Sequence, residues 1–435
     1  MTLEAFLRQI AAECGRRAIP FCVLKNYHFL PHVNEGDDLD LLIPDSTTVD
    51  VLVEMLRSVP GVLVTGYCRR DYVVSFFVSG VAGHPSHAIQ VDFVTRLTWK
   101  GLAYLDVSDV LAHRQELSAD CSWLYIPSPR HEAVVSLFSS YLVGGRIQER
   151  YQPRVRCWFS EHREHVIDDL SRVIPDAVAL RLVDAAIDDD RDELDALLPR
   201  LRRALLLTAV RRQPWRSPGR IYSHYAAELR LRFGARRRFA VGFLGPDGAG
   251  KTTIIRQLTQ TLGGAAKEIE VAHLRPQWRH HDAGVAVDNP HGAEPRTAVA
   301  SVLELLYFVC IYQVENRFRP VRVFTVRFWD RYYHDILIDP RRYRYGAPVS
   351  VARYLGRFIP SPQMWIVLDA APEVLCRRKQ EVPVAESGRL SAAYRRFASE
   401  HDNAVLIDTS APVADVVEQA RHAVITSMAR AALAG

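Results

Sequence analysis

The sequence predicts an α/β protein whose C-terminal half is a parallel sheet wrapped by helices, preceded by a smaller α+β unit and a helical middle region. Three observations predict it. From about residue 238 onward, short apolar runs alternate with helically spaced segments, the pattern of strands joined by crossovers. One run, "RFAVGFL", leads straight into the glycine-rich stretch "GPDGAGKT", Gly245 to Thr252, and then a helix. At the other end of the chain, "FCVLK", "LDLLI", "VVSFFV" and "AIQVDFV" alternate with turns. The expected domains are residues 1–110, 111–237 and 238–435, in keeping with a chain of 435 residues.

The first element is a helix in "MTLEAFLRQIAAECGRR". Leu3, Phe6, Leu7, Ile10 and Cys14 line one face, and Glu4 and Arg8 interrupt any apolar run, so the segment is not a signal peptide. After the breaker "PSPR", Val134, Leu137, Phe138, Tyr141 and Leu142 recur at helical spacing. Leu194, Leu197, Leu198, Leu201 and Leu205 repeat the pattern, with a kink expected at Pro199. "DDDRDELD" reads as an exposed helix start and "RQPWRSPGR" as a bend or linker. Beyond the glycine-rich stretch, Ile254, Leu258 and Leu262 mark a helix. "VRVFTVRFWD", "QMWIVLDA" and "NAVLIDTS" read as further strands. "AVASVLELLYFVCIYQV" is short and carries Glu304, which fits a buried helix better than a membrane span.

Composition narrows the class. Hydrophobic residues make up 48% and charged residues 24%, as in ordinary globular proteins. The seven cysteines are scattered singly without CxxC pairs, which fits a cytoplasmic location and argues against zinc. Net charge is +5, with 50 arginines and only five lysines: Lys25, Lys100, Lys251, Lys267 and Lys379. Acidic residues interleave the arginines nearly everywhere, which argues against nucleic acid as a partner. The oligomeric state stays open, with a homodimer allowed for.

"GPDGAGKT" satisfies G-x-x-x-x-G-K-[ST] at every fixed position. Its glycines let successive backbone N–H groups turn toward a phosphate, Lys251 reaches the outer oxygens, and the Thr252 hydroxyl can ligate Mg²⁺. Gly245, Gly248, Ala249, Gly250, Lys251, Thr252 and Thr253 are thus the expected ATP-binding residues, at the positive end of a helix. "LGPDGAGKTT" further resembles the phosphate loop of thymidylate kinase-like enzymes, and "DRYYHD" from Asp330 resembles that family's Asp-Arg-Tyr motif. The resemblance spans roughly 239–430 and implies a P-loop kinase with ATP and Mg²⁺ as cofactors. It also implies that Asp247 faces the acceptor, that Asp330 helps order Mg²⁺ or the attacking group, and that Arg331 neutralises phosphate charge. "LDAAPEVLCRRKQEVPVAESGRL" resembles the family's strand, helix and lid, which makes Arg378 a helix arginine and Arg389 a lid residue over the phosphates. The family's Arg-Glu-Pro acceptor motif is represented only by Arg275-Pro276 in "HLRPQW". Arg341, Arg342 and Arg344 in "ILIDPRRYRYG" read equally as a solvated loop or as a grip on an anionic acceptor.

In "GDDLDLLI", Asp38 and Asp40 stand two apart entering a strand and share one side of it. In "AIQVDFV", Ile89, Val91 and Phe93 share the buried face and leave Asp92 on the other. Neighbouring carboxylates suit a hard cation, so Asp38, Asp40 and Asp92 are candidate Mg²⁺ ligands. The arrangement resembles the DNA polymerase β-like nucleotidyltransferase superfamily over residues 18–100. It implies an N-terminal α+β nucleotidyltransferase-like domain, with Lys25-Asn26 in place of the usual Gly-Ser. The function expected is phosphotransfer from ATP to a small-molecule acceptor, nucleoside monophosphate-like or a sugar or polyol, joined to an N-terminal nucleotidyltransferase. A nucleotide-binding switch with a silent first domain and a polynucleotide 5′-kinase are the alternatives.

Overall fold

The computed structural model describes all residues except 35, 37, 82–87, 150, 234–237, 274–293, 319–322, 379–382 and 434–435. Side chains are further left undescribed at 232–233, 315–318 and 433. The chain divides into two compact units, Met1–Leu231 and Arg232–Gly435. The strand-rich and helical regions that the sequence separates at about residue 110 therefore lie in one unit.

The first unit runs through α1 (Leu3–Arg16), β1 (Cys22–Val23), β2 (Asp38–Leu42), α2 (Val49–Arg57), β3 (Leu63–Arg69), β4 (Val73–Ser79) and β5 (Ala88–Val94). It continues with β6 (Leu97–Trp99), β7 (Leu102–Leu105), α3 (Val107–Ala112), β8 (Gln115–Glu116) and β9 (Tyr125–Ile126). The helices α4 (Pro129–Gly144), α5 (Gln152–Glu161), α6 (Arg163–Ser171), α7 (Asp176–Asp188), α8 (Arg191–Arg212) and α9 (Arg216–Phe233) follow. Thr2 caps α1, its hydroxyl accepting from the Ala5 amide at 3.2 Å, and the apolar face read from the sequence is buried. Helix α8 runs through Pro199, Asp190 caps it, and the chain breaks at Gln213 before α9.

Among the described residues, the first sheet has the order β1-β2-β5-β4-β3, with β2 and β5 parallel. It is covered on both faces. Leu39, Leu41, Val91 and Phe93 join α1 and α2 in one cluster, while Leu42, Val73 and Val94 join α4 and the helices after it in another. Alternation along β2 therefore turns Asp38 and Asp40 toward the side of Leu42.

The second unit comprises β10 (Arg238–Leu244), α10 (Lys251–Thr261), β11 (Glu268–His273), α11 (Ala298–Phe318), β12 (Thr325–Asp330) and α12 (Tyr333–Ile338). It then has α13 (Val349–Gly356), β13 (Met364–Asp369), α14 (Pro372–Arg378), α15 (Val384–Glu400), β14 (Ala404–Asp408) and α16 (Val413–Leu433). Its sheet has the order β11-β12-β10-β13-β14, and every neighbouring pair is parallel. The expectation of a buried helix at "AVASVLELLYFVCIYQV" needs correction. Leu305, Phe308 and Tyr312 on α11 are buried in a cluster with Trp329, Tyr332 and Ala352, but Val299, Leu303 and Tyr307 are exposed. No helix among the described residues is long and apolar enough to cross a membrane.

Candidate functional site

Strand β10 lies between β12 and β13, both parallel to it, so the loop that follows leaves from the middle of the sheet at its C-terminal edge. Gly245 passes so near β13 that a Cβ would stand 2.2 Å from the Leu368 carbonyl oxygen. Gly250, at φ +82°, turns the chain into α10. Ala249 is buried, and its amide donates to the Pro246 carbonyl at 3.3 Å. The buried Lys251 Nζ donates to the carbonyls of Gly245 (2.7 Å) and Pro246 (2.8 Å), the inner wall of the loop. Thr252 Oγ1 donates to Asp330 Oδ2 at 3.2 Å. Thr253 is exposed on the first turn of α10.

Asp330 ends β12 in register with Phe243 of β10 and His273 of β11. His273 Nδ1 stands 3.8 Å from Asp330 Oδ2. Arg331 follows with φ +67°, a left-handed backbone uncommon for a residue with a side chain. Its amide donates to the Phe243 carbonyl at 3.1 Å, and its guanidinium is held at two points. One is Asp247 Oδ1 at 2.5 Å; the other is the wholly buried Asp335. The second Asp247 oxygen pairs with Arg342. Tyr343 (2.6 Å) and Tyr394 donate their hydroxyls to Asp335.

Burial by itself raises the Asp335 carboxyl. The charges of Arg331 and Lys251 and the two tyrosine hydroxyls outweigh it and hold Asp335 below its ordinary value. Burial and the Asp335 charge push both tyrosines well up, so they remain donors. Arg331, despite burial, is raised by Asp335. The neighbouring His334 goes the other way: burial, then the charge of His401, lowers it to about 4.

The structure thus brings Lys251, Thr252, Asp330, Arg331 and Asp247 to one edge of the sheet. Arg378 and Arg389 have other partners. Arg378 Nη2 donates to the Thr409 carbonyl at 2.8 Å, beyond β14, and Arg389 Nη2 pairs with Glu386 on its own helix at 2.7 Å. The arginine-rich segment splits: Arg342 reaches Asp247, Arg344 donates to the Glu294 carbonyl, and Arg341 is exposed. Arg275, Pro276 and Lys379 lie outside the described residues. Sequence reasoning missed Asp335, Tyr343 and Tyr394. The signal available for Asp335 was its place four residues after Arg331 in the same short acidic and basic run.

In the first unit, the parallel register sets Asp40 opposite Asp92 and Asp38 opposite Gln90. One carboxylate oxygen each of Asp38, Asp40 and Asp92 can be chosen so that all lie within 4.8 Å of one another. Gln90 Nε2 donates to Asp92 Oδ1 at 2.8 Å. Asn34 Nδ2 ties down the approach to β2, donating to the carbonyls of Gly36 (2.9 Å) and Asp38 (3.2 Å). Asn26, at φ +56°, packs its amide where a Cβ on Gly36 would be 2.6 Å away.

No family model matches the chain, and no curated protein matches it in sequence. Among solved structures, it is similar to the thymidylate kinase of Ehrlichia chaffeensis at 14% identity, covering 42% of this chain and 96% of that one, TM-score 0.27. It is similar to the thymidylate kinase of Candida albicans at 13% identity, covering 44% and 92%, TM-score 0.32. A third is the YorR protein of Bacillus subtilis in complex with phosphorylated GDP, at 14% identity, covering 42% and 92%, TM-score 0.27.

Proposed function

We propose that the second unit is an ATP-dependent phosphotransferase, and that its acceptor is a small molecule carrying an anionic group, nucleoside monophosphate-like or a phosphorylated sugar or polyol. The observation that carries the reading is the hydrogen bond from Thr252 to Asp330, with Arg331 fixed beside it by Asp335 and Asp247. A loop shaped for phosphate meets a guanidinium that is held before any substrate arrives.

Thr252 and Asp330 present oxygen donors, the chemistry Mg²⁺ takes, and the ion supplied with ATP would be held there to neutralise phosphate charge. Lys251 exchanges its two loop carbonyls for phosphate oxygens. Arg331 stabilises charge on the group in transit, and Asp335 keeps its guanidinium in place through a buried pair. Asp247 holds Arg331 and Arg342 together, so an acceptor anion meets two guanidiniums side by side. Phosphoryl transfer needs little more than such positioning and charge stabilisation.

A second activity, metal-dependent nucleotidyl transfer in the first unit, is favoured by the convergence of Asp38, Asp40 and Asp92 on one side of β2 and β5. Oxygen-only donors at this spacing suit Mg²⁺ and a triphosphate.

ATP labelled at the γ or the α position, incubated with the protein and a small-molecule extract, tests both. The kinase reading expects the γ label in an acceptor, lost in Lys251→Ala. The second reading expects the α label to migrate, lost in Asp40→Asn. If neither label moves, both readings fall.

A further inference from the structure

The first unit contains a cavity of about 950 Å³ that none of Asp38, Asp40 and Asp92 lines. It lies where the chain leaves β2 and β5, at Asp45 and Arg96, and is closed by the β6–β7 hairpin, α3 and the C-terminal end of α8. Its size is that of a small-molecule site.

The lining has two characters. Leu97, Leu102, Leu105, Leu111, Val173 and Leu205 form an apolar wall. Among its polar residues are five arginines, Arg96, Arg114, Arg172, Arg212 and Arg220, against two aspartates, Asp45 and Asp106. Both aspartates already have partners: Asp106 accepts from the Ser108 amide at 2.9 Å, and Asp45 stands 3.4 Å from Arg96 Nε.

Arg114 Nε and Thr98 Oγ1 are buried without a hydrogen bond, and Arg96 Nε faces the Asp45 carboxylate 3.4 Å away. Arg96 spends Nη2 on Asp71 Oδ1 at 2.7 Å, and its ion pair with Asp45 is not aligned as a hydrogen bond. Arg114 lies over the Tyr125 ring, with its carbon 4.7 Å from the centroid, and donates Nη1 to the Leu111 carbonyl. The charge of these two guanidiniums, set in the wall beside the leucines, favours an anion in the cavity. Arg172, Arg212 and Arg220 are exposed and bring positive charge from the end of α6, the end of α8 and the start of α9.

We propose that this cavity binds a soluble organic anion, a phosphate or carboxylate on an apolar body, separate from both candidate catalytic sites. Guanidiniums suit such an anion because their fork matches its oxygens, and the leucine wall takes the body.

The test uses the full chain, the fluorescent probe 1-anilinonaphthalene-8-sulfonate, and octyl phosphate as competitor. The proposal expects saturable probe binding that octyl phosphate displaces and that octanol and inorganic phosphate displace far less. Arg220→Glu, at an exposed position, weakens octyl phosphate binding about tenfold. Leu205→Trp, which fills the apolar wall, weakens it comparably. Circular dichroism checks that both variants fold, and if Leu205→Trp does not, Arg212→Glu replaces it. Equal displacement by octanol, or unchanged affinity in the folded variants, overturns the proposal. Vesicles of phosphatidylcholine with phosphatidic acid separate a membrane-borne phosphate from a free one. No retention is expected, and retention lost in Arg220→Glu overturns the assignment to a soluble ligand.

Discussion

The two units handle carboxylates in opposite ways. At the loop of residues 245–252, Asp247 is answered by Arg331 and Arg342 and Asp335 by Arg331. At β2 and β5 three acids crowd together, and Asp92 takes the neutral amide of Gln90. The first arrangement is a scaffold of paired charges that fixes Arg331 and Arg342 in place. The second gathers carboxylate oxygens at a spacing that a divalent cation could span.

The largest expected effect comes from breaking the paired side. Asp335→Ala leaves Arg331 with Asp247 as a carboxylate partner but strips the acceptor from two buried tyrosine hydroxyls, which together cost about 3 kcal/mol. Urea unfolding checks it through a lowered midpoint at constant slope. The sign with pH follows from the lowered Asp335 carboxyl. Its stabilisation is full above the ordinary carboxylate range and is lost as pH falls through the lower folded value.

Next, Lys251→Ala removes the amine that the proposed reaction turns onto phosphate, and lowers γ-phosphate transfer about a hundredfold to a thousandfold, read as kcat for ADP release. His334 adds a third effect. Folding holds it neutral down to about 4, whereas the unfolded chain takes up a proton near 6.5. Stability therefore falls between those values as pH drops, by about 3 kcal/mol at the low end. His334→Phe flattens that part of a melting-temperature profile.

How much of this was legible in the sequence differs between the two units for a physical reason. The loop announces itself because backbone geometry demands glycine at Gly245 and Gly250 and the chemistry demands Lys251 and Thr252, all within eight residues. Asp38, Asp40 and Asp92 were legible through strand alternation alone. Asp335, Tyr343 and Tyr394 were not, because they meet only when α12, the segment after it and α15 fold over Arg331. Arg378 and Arg389 were read from linear resemblance, and their bonds to Thr409 and Glu386 depend on chain segments that such a resemblance does not place. The cavity of the first unit was invisible for the same reason, since its arginines come from distant stretches.

Smaller effects sharpen the comparison. Arg342→Ala raises the KM for an anionic acceptor about tenfold and leaves the KM for ATP unchanged. Mg²⁺ at a few times its Kd for the clustered acids stabilises the first unit by about 1 kcal/mol, and Asp40→Asn abolishes the shift in thermal unfolding.

The most direct measurement is the structure of the protein with a non-hydrolysable ATP analogue. The account predicts the triphosphate in the loop of residues 245–252, Lys251 released from the Gly245 and Pro246 carbonyls onto phosphate oxygens, and the terminal phosphate facing Asp330 and Arg331. An analogue bound elsewhere, or a loop that keeps Lys251 on its carbonyls with the terminal phosphate turned from Arg331, would contradict it.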